Sequence, residues 1–418
     1  MSGLMDAAVV DAAVNDDAPA EIDTAAAGDG GGGAAGAGDA GAPSGDAGVP
    51  SVSRSALLRA FGECALETAR HFLARASELE SAAIALRDTS GPASQQTEAA
   101  REAYRKALDA WQVAEVMQFG PAAQVVHPGG RDLRENIYSW PLVGRCPVET
   151  EIVSRGYEAS AFSTMAASNR RTLTALEYLL FYEGADTACP ASSPIVASGS
   201  WAALSTDEIA ARKRAYAAVV ASDVRSRAME LVAAWAPLEG NFVRSLETAG
   251  PGNAVYPTSR AAFNAVSDAL FYIEITAKDM KLARPLGLDA YCGLEPTCPE
   301  ALESPVARRA KANLAANLQG FGRIALGCGP DFAGLGFDDL LVELGQADLA
   351  RRIRDAVSTG TARLAAIEEP DLAEALEKDR PSVADAYAAF RVITNILKME
   401  LVGVLDLELP KEVKSDND

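Results

Sequence analysis

Arg171-Thr172-Leu173-Thr174-Ala175-Leu176-Glu177-Tyr178-Leu179-Leu180-Phe181 is the stretch on which the reading of this chain turns. Leu173, Leu176 and Leu180 recur at the three- and four-residue spacing of a helix, and no Gly or Pro interrupts them. Carried backwards, the same pattern predicts one helix over roughly Arg155–Tyr182, with Phe162 and Met165 as further apolar positions. On that helix Arg170, Thr174 and Glu177 stand at i, i+4 and i+7 and share a face. A plain Arg–Glu contact accounts for Arg170 and Glu177. The sharper reading is a carboxylate, Glu177, aimed into a site with Arg170 and Thr174 beside it.

Working outward, the composition favours an all-α protein, because Ala and Leu abound, aromatics are 6%, and no period-2 run of Val, Ile and Thr occurs. With 418 residues the chain is long enough for two domains. Eight long helical segments are predicted. They cover about Ser53–Arg87, a stretch ending near Phe119, Arg155–Tyr182, Thr206–Glu247, Thr258–Ala283, Pro305–Leu326, Gln346–Ile367 and Pro381–Val404. Four helices on each side of Gly250-Pro251-Gly252-Asn253 are enough for two tandem four-helix bundles. The expected organisation is a tether over 1–52, a first bundle over 53–249, a second over 250–410, and a short tail over 411–418.

Charge is uneven. The net value is −20, yet residues 1–50 hold nine acids and no Lys or Arg, which leaves a net −11 on the remainder. That balance argues against nucleic acid or an anionic membrane surface as partner. The first fifty residues are mostly Ala, Gly, Asp, Ser and Pro, a composition that predicts a disordered tether. Met1–Val10 lacks the pattern of a signal peptide, and no run of about 20 apolar residues exists to span a bilayer. A cytosolic chain is one reading; an exported one, its signal already removed and a lipid anchor attached ahead of the tail, is the other.

Six cysteines allow many pairings. Cys292 and Cys298 share a turn-rich loop and form one candidate disulfide, and Cys146 and Cys189, in loops beside prolines, form a second. Cys64 and Cys328 lie in or beside apolar helical stretches and read as buried free thiols. Oxidised loop cysteines lean towards an oxidising compartment. The two histidines are His71, mid-helix, and His127, in a loop where it could serve as a ligand. No H-E-x-x-H, G-x-S-x-G or P-loop is present. Asn264, Ser267, Phe271, Glu274, Lys278 and Lys281 recur along one helix face, either as a ligand-facing stripe or, for Glu274 and Lys278, as an i,i+4 ion pair.

The opening stretch resembles the G-x-H-x-x-E motif of the imelysin family, which precedes a Leu-Leu-Phe run. Thr172 takes the glycine place, Thr174 the histidine place and Glu177 the glutamate place. Trp111-Gln112 with Glu115 and Phe119-Gly120-Pro121, Trp140-Pro141, Lys278-Asp279-Met280-Lys281-Leu282-Ala283-Arg284-Pro285-Leu286-Gly287, and Asn313–Gly320 also resemble family segments, in the same order over about residues 54–410. The resemblance implies an extracytoplasmic, all-helical protein of two bundles with a site between them, linked to iron uptake or its regulation. It marks Glu177 as the site glutamate and sole expected metal ligand, with Glu115, Asp279 and Lys281 as further ligand-binding candidates. Iron or another divalent cation is the implied cofactor, and an outer-membrane or periplasmic protein the implied partner. Threonine offers no imidazole lone pair, so the expected activity is non-enzymatic binding. A metallopeptidase using Glu177, and a helical scaffold with a decayed site, are the alternatives.

Overall fold

Ser53 opens the fold: its hydroxyl accepts the Ala56 N–H at 3.0 Å and caps α1, Arg54–Arg87. The computed structural model describes residues 52–90, 93–293, 295–410 and 413. The predicted tether and C-terminal tail lie outside the described residues, apart from Val52 and Val413.

Along α1 the apolar stripe of Leu57, Phe61, Leu66, Phe72 and Leu79 is buried, as its spacing requires. Helix α2, Ser94–Glu115, stops short of Phe119. Beyond it Gly120 turns the chain at φ +55°, in a place where a Cβ would lie 2.5 Å from the Phe242 ring. Helix α3 is Leu173–Phe181, and α4, Thr206–Trp235, begins in a reciprocal capping box between Ser205 and Glu208. In the second half α5, Ser259–Leu270, is capped by Thr258 and runs into a π-helical segment, Ile273–Ala283. Helices α6, Ala310–Ala325, α7, Ala347–Ala365, and α8, Arg380–Ile396, follow, and α8 too continues as a π segment, Leu397–Leu401.

Helices α1, α2, α3 and α4 pack on one another, and the short helix Phe242–Glu247 closes against α1. Helices α6, α7, α8 and the π segment of α5 form the second group. The groups meet where α6 lies on α2, an approach permitted by Gly320, whose Cβ would stand 2.4 Å from the Val113 carbonyl oxygen. The body is all-α, with no strand among the described residues and no described helix long and apolar enough to cross a membrane.

Four sequence expectations need correction. The helix predicted over Arg155–Tyr182 is broken, and only the nine residues Leu173–Phe181 near its end are α3. Arg155 adopts φ +55°, and short turns at Gly156–Glu158, Phe162–Met165 and Ser168–Arg170 follow it. This stretch is rich in Ser and Ala, and hydroxyls such as Thr164, bonded to the Ala161 carbonyl, compete for the backbone. Met165 is accordingly exposed rather than packed. The fourth helix ends at Trp235, not near Glu247. The fifth changes pitch at Ile273. Finally, Cys64 and Cys328 are not free thiols: they are bonded to each other, alongside Cys146–Cys189 and Cys292–Cys298. The first of these bridges joins α1 to the loop after α6, a pairing between distant segments that local sequence context cannot display.

Candidate functional site

Where α2 meets α6 and the π segment, polar side chains replace apolar ones. Gln112 and Glu115 project from the last turn of α2, Lys281 from the π segment and Asn317 from α6, all at most 1% exposed. Lys281 is the hub. Its Nζ lies 2.8 Å from Gln112 Oε1, 2.8 Å from Asn317 Oδ1, 2.9 Å from Glu303 Oε1 and 3.9 Å from Glu115 Oε2. The Trp140 and Tyr272 rings each stand 5.4 Å from the ammonium. Arg134 is the second cation, donating to Glu115 Oε1 at 2.6 Å and to the Trp140 carbonyl at 2.8 Å. Tyr138 donates to Glu303 Oε1 at 2.7 Å, and burial together with the Glu303 charge holds its phenol far above its ordinary pKa, so it stays a donor.

Glu177 sits at the edge of this core, 6% exposed. Its Oε1 accepts the Val306 and Ala307 amides at 2.8 and 2.9 Å. Burial pushes its carboxyl up to about 7, although the two amides pull the other way. Thr174 is half-buried, and its hydroxyl is 2.6 Å from Ser139 Oγ and 2.9 Å from Thr172 Oγ1. The three residues laid on the family motif thus hold loops: Glu177 the Val306–Ala307 turn, the two threonines Ser139.

The other candidates divide. Glu115 and Lys281 meet in the core, whereas Arg170 lies in the turn before α3, partly exposed and 2.9 Å from Glu151. It shares no helix face with Glu177. Asp279 is half-buried and pairs with Lys278 at 2.9 Å. The stripe splits as well. Lys278 and Glu274 form the i,i+4 pair at 3.1 Å and face Lys398 of the second π segment at 2.8 Å from Glu274, while Lys281 turns to α2. His71 and His127 are both exposed and stand outside this core.

Arg134, Tyr138, Ser139, Tyr272 and Glu303 escaped the sequence reading, because most of them come from irregular segments without periodicity. Asn313 and Asn317 left a trace: two polar residues four apart on the otherwise apolar face of α6.

The donor chemistry does not fit a bare metal ion here. Among the described residues Glu303 Oε2 has no hydrogen-bond partner, but Lys281 and Arg134 already balance the two carboxylates, and neither histidine lies in this core. Among the described residues the one converging group of potential ligands is Cys292, Cys298 and Glu300, and its sulfurs are joined in a disulfide.

Fold and core together define an all-helical protein of two helix groups closed on a sealed, charge-balanced polar seam. The family model described as imelysin matches residues 65–396, and the chain belongs to that family. It is 24% identical over 319 residues to the iron-regulated protein A of Synechococcus elongatus, covering 75% of this chain and 76% of that one. Two solved structures share the fold. An imelysin-like protein from Psychrobacter arcticum superposes with a TM-score of 0.60 at 17% identity, over 87% of this chain and all of that one. A protein described as an iron-regulated protein A precursor, from Parabacteroides distasonis, gives 0.61 at 16% identity, over 84% and 94%.

Proposed function

We propose that this protein is a non-enzymatic, extracytoplasmic binding protein acting in the acquisition of iron or another metal, or in its regulation. The observation that carries the reading is the use of the motif positions. Glu177 is occupied by two backbone amides and Thr174 by neighbouring hydroxyls, so neither is arranged to hold a hydrolytic metal and its water. Membership of the imelysin family and the likeness to iron-regulated protein A support the link to iron. Three disulfides that take up all six cysteines support an oxidising compartment. In this reading the acidic first fifty residues act as a tether beyond a lipid anchor, and the helical body engages a protein partner in the periplasm or outer membrane.

Two measurements test it. Purified protein incubated with unfolded substrates should show no proteolysis that a chelator or Glu177→Ala abolishes; chelator-sensitive cleavage would return the enzyme reading. In the source organism, deletion should impair growth under iron limitation more than under iron sufficiency. Equal growth in both media would remove the link to iron.

A further inference from the structure

A cleft of about 910 Å³ runs between α1, α2 and α6, on a side that none of Glu115, Glu177 or Lys281 lines. Ala110 and Ala316 lie buried in its lining, with Ala312 and Ala315 beside them, residues with nothing beyond Cβ to fill the gap between the helices. Its walls carry Arg75 from α1, Lys106 from α2, and Arg309 and Arg323 from either end of α6, against the acids Glu67 and Asp109. Both acids are engaged, Asp109 by Arg309 and Glu67 by Arg323, the latter at 2.6 Å. Arg75 and Lys106 meet acids outside the lining, Glu78 at 2.8 Å and Glu102 at 3.7 Å, on exposed surface where such pairs are weak. The lining itself carries two more cations than acids, in a chain of net −20.

A second observation points to a ligand. Three buried polar groups lining this cleft have no hydrogen-bond partner among the described residues: the Thr68 hydroxyl and the Nε atoms of Arg309 and Arg323. Thr68 is 1% exposed. Donors shut from water without an acceptor are costly, and a negatively charged oxygen is the acceptor that satisfies them best beside a guanidinium. Arg309 and Arg323 are roughly 21 Å apart by helical rise, too far to share one small molecule. Arg323 and Arg75 both bear on His71, which lies with Thr68 and Arg75 at i, i+3 and i+7 on one face of α1, and this marks the end of the cleft where the groups converge.

We propose that this end of the cleft binds a small oxyanion of two or more negative charges, carboxylate or phosphoryl, held by Thr68, Arg75 and Arg323. Lys106 and Arg309 at the far end steer it inwards. The site stands apart from the motif helix, and the inference holds whether or not the iron reading does.

His71 supplies the probe. Burial and then the neighbouring Arg75 and Arg323 cations lower its pKa, opposed by Glu78 and Glu67. A bound anion offsets those cations and must raise it. The chain has just two histidines, so the imidazole NMR titrations of the whole protein are separable, with His127 in its exposed loop as the reference. Citrate and pyrophosphate are titrated against sodium chloride at matched ionic strength. A saturable upward shift of His71 alone is expected with at least one of the two, and the one saturating at lower concentration identifies carboxylate or phosphoryl. Arg75→Glu should weaken that saturation by at least about tenfold. Thr68→Val, which keeps the side-chain shape, should weaken it several-fold while circular dichroism stays helical. If neither anion exceeds chloride, or if both variants saturate as the wild type does, the proposal is overturned.

Discussion

Lys281 concentrates the energetics of the core in one side chain. Its ammonium faces two carboxylates and two amide oxygens with 1% of the residue exposed, so removing it leaves Glu303 with no paired cation and Glu115 with Arg134 alone. Breaking a buried pair by deleting one partner typically costs about 3–5 kcal/mol. Lys281→Met, similar in length and apolar, should therefore lower the urea midpoint clearly, with the slope unchanged. A midpoint within error of wild type would mean that the seam does not depend on this ion. Glu177 gives a different signature. Its carboxyl titrates at about 7 in the fold and at the ordinary 4.5 when unfolded, so between those values the folded state binds the extra proton. Stability must then fall as pH rises from about 4.5 to 7, by a contribution on the order of 3 kcal/mol. Glu177→Gln keeps an oxygen for the two amides and removes the titration. Thermal midpoints at pH 5 and pH 8 should differ less in this variant than in wild type, and an equal difference would assign the effect elsewhere. Both residues were legible in the sequence, as a lone acid in an apolar helix and a lysine within a family-like segment. Glu303, which meets Lys281, was not, nor were Arg134 and Tyr138, which hold the carboxylates Glu115 and Glu303 beside it, because such contacts between short or irregular segments leave no periodic trace.

At the level of elements, the helices whose ends carry chemical punctuation could be read closely. Ser53 caps α1, the Ser205–Glu208 box opens α4 and Thr258 opens α5, each close to its expected place. Residues 155–172 deceived because Ala supports a helix on propensity alone, while the run lacked the continuous apolar stripe that packing needs. The π segments were illegible for another reason: their contacts, such as Glu274 with Lys398 at 2.8 Å, join residues far apart in the chain and leave no mark on the local pattern. The α2–α6 contact is the element pair most sensitive to substitution. Gly320→Val would drive a branched side chain into the Val113 carbonyl, which belongs to backbone and cannot swing aside. Overpacking of this kind costs about 1–3 kcal/mol. The expected outcome is a thermal midpoint lowered by several degrees; Gly403→Val, where a Cβ meets nothing within 4 Å, should leave it almost unchanged.

Across the whole molecule, α6 is stitched to the first helix group along its length. Arg309 pairs with Asp109 before its first turn, Asn317 bonds Gln112 at its middle, Arg323 pairs with Glu67 near its end, and Cys328 is bonded to Cys64 just beyond. None of these links is local, and that is why the sequence indicated two groups of four helices but not how tightly they are joined. The Cys64–Cys328 bridge spans 264 positions, the longest loop of the three, and so restricts the unfolded chain most. A cross-link of that length stabilises by about 3–5 kcal/mol, if the native geometry is relaxed. Cys64→Ala with Cys328→Ala should lower the calorimetric midpoint while leaving one transition, since the polar seam and the Gly320 contact still couple the halves. Two resolved transitions would show instead that the disulfide alone makes the groups unfold together. An unchanged midpoint would place the stability of the interface entirely in its packed and ionic contacts.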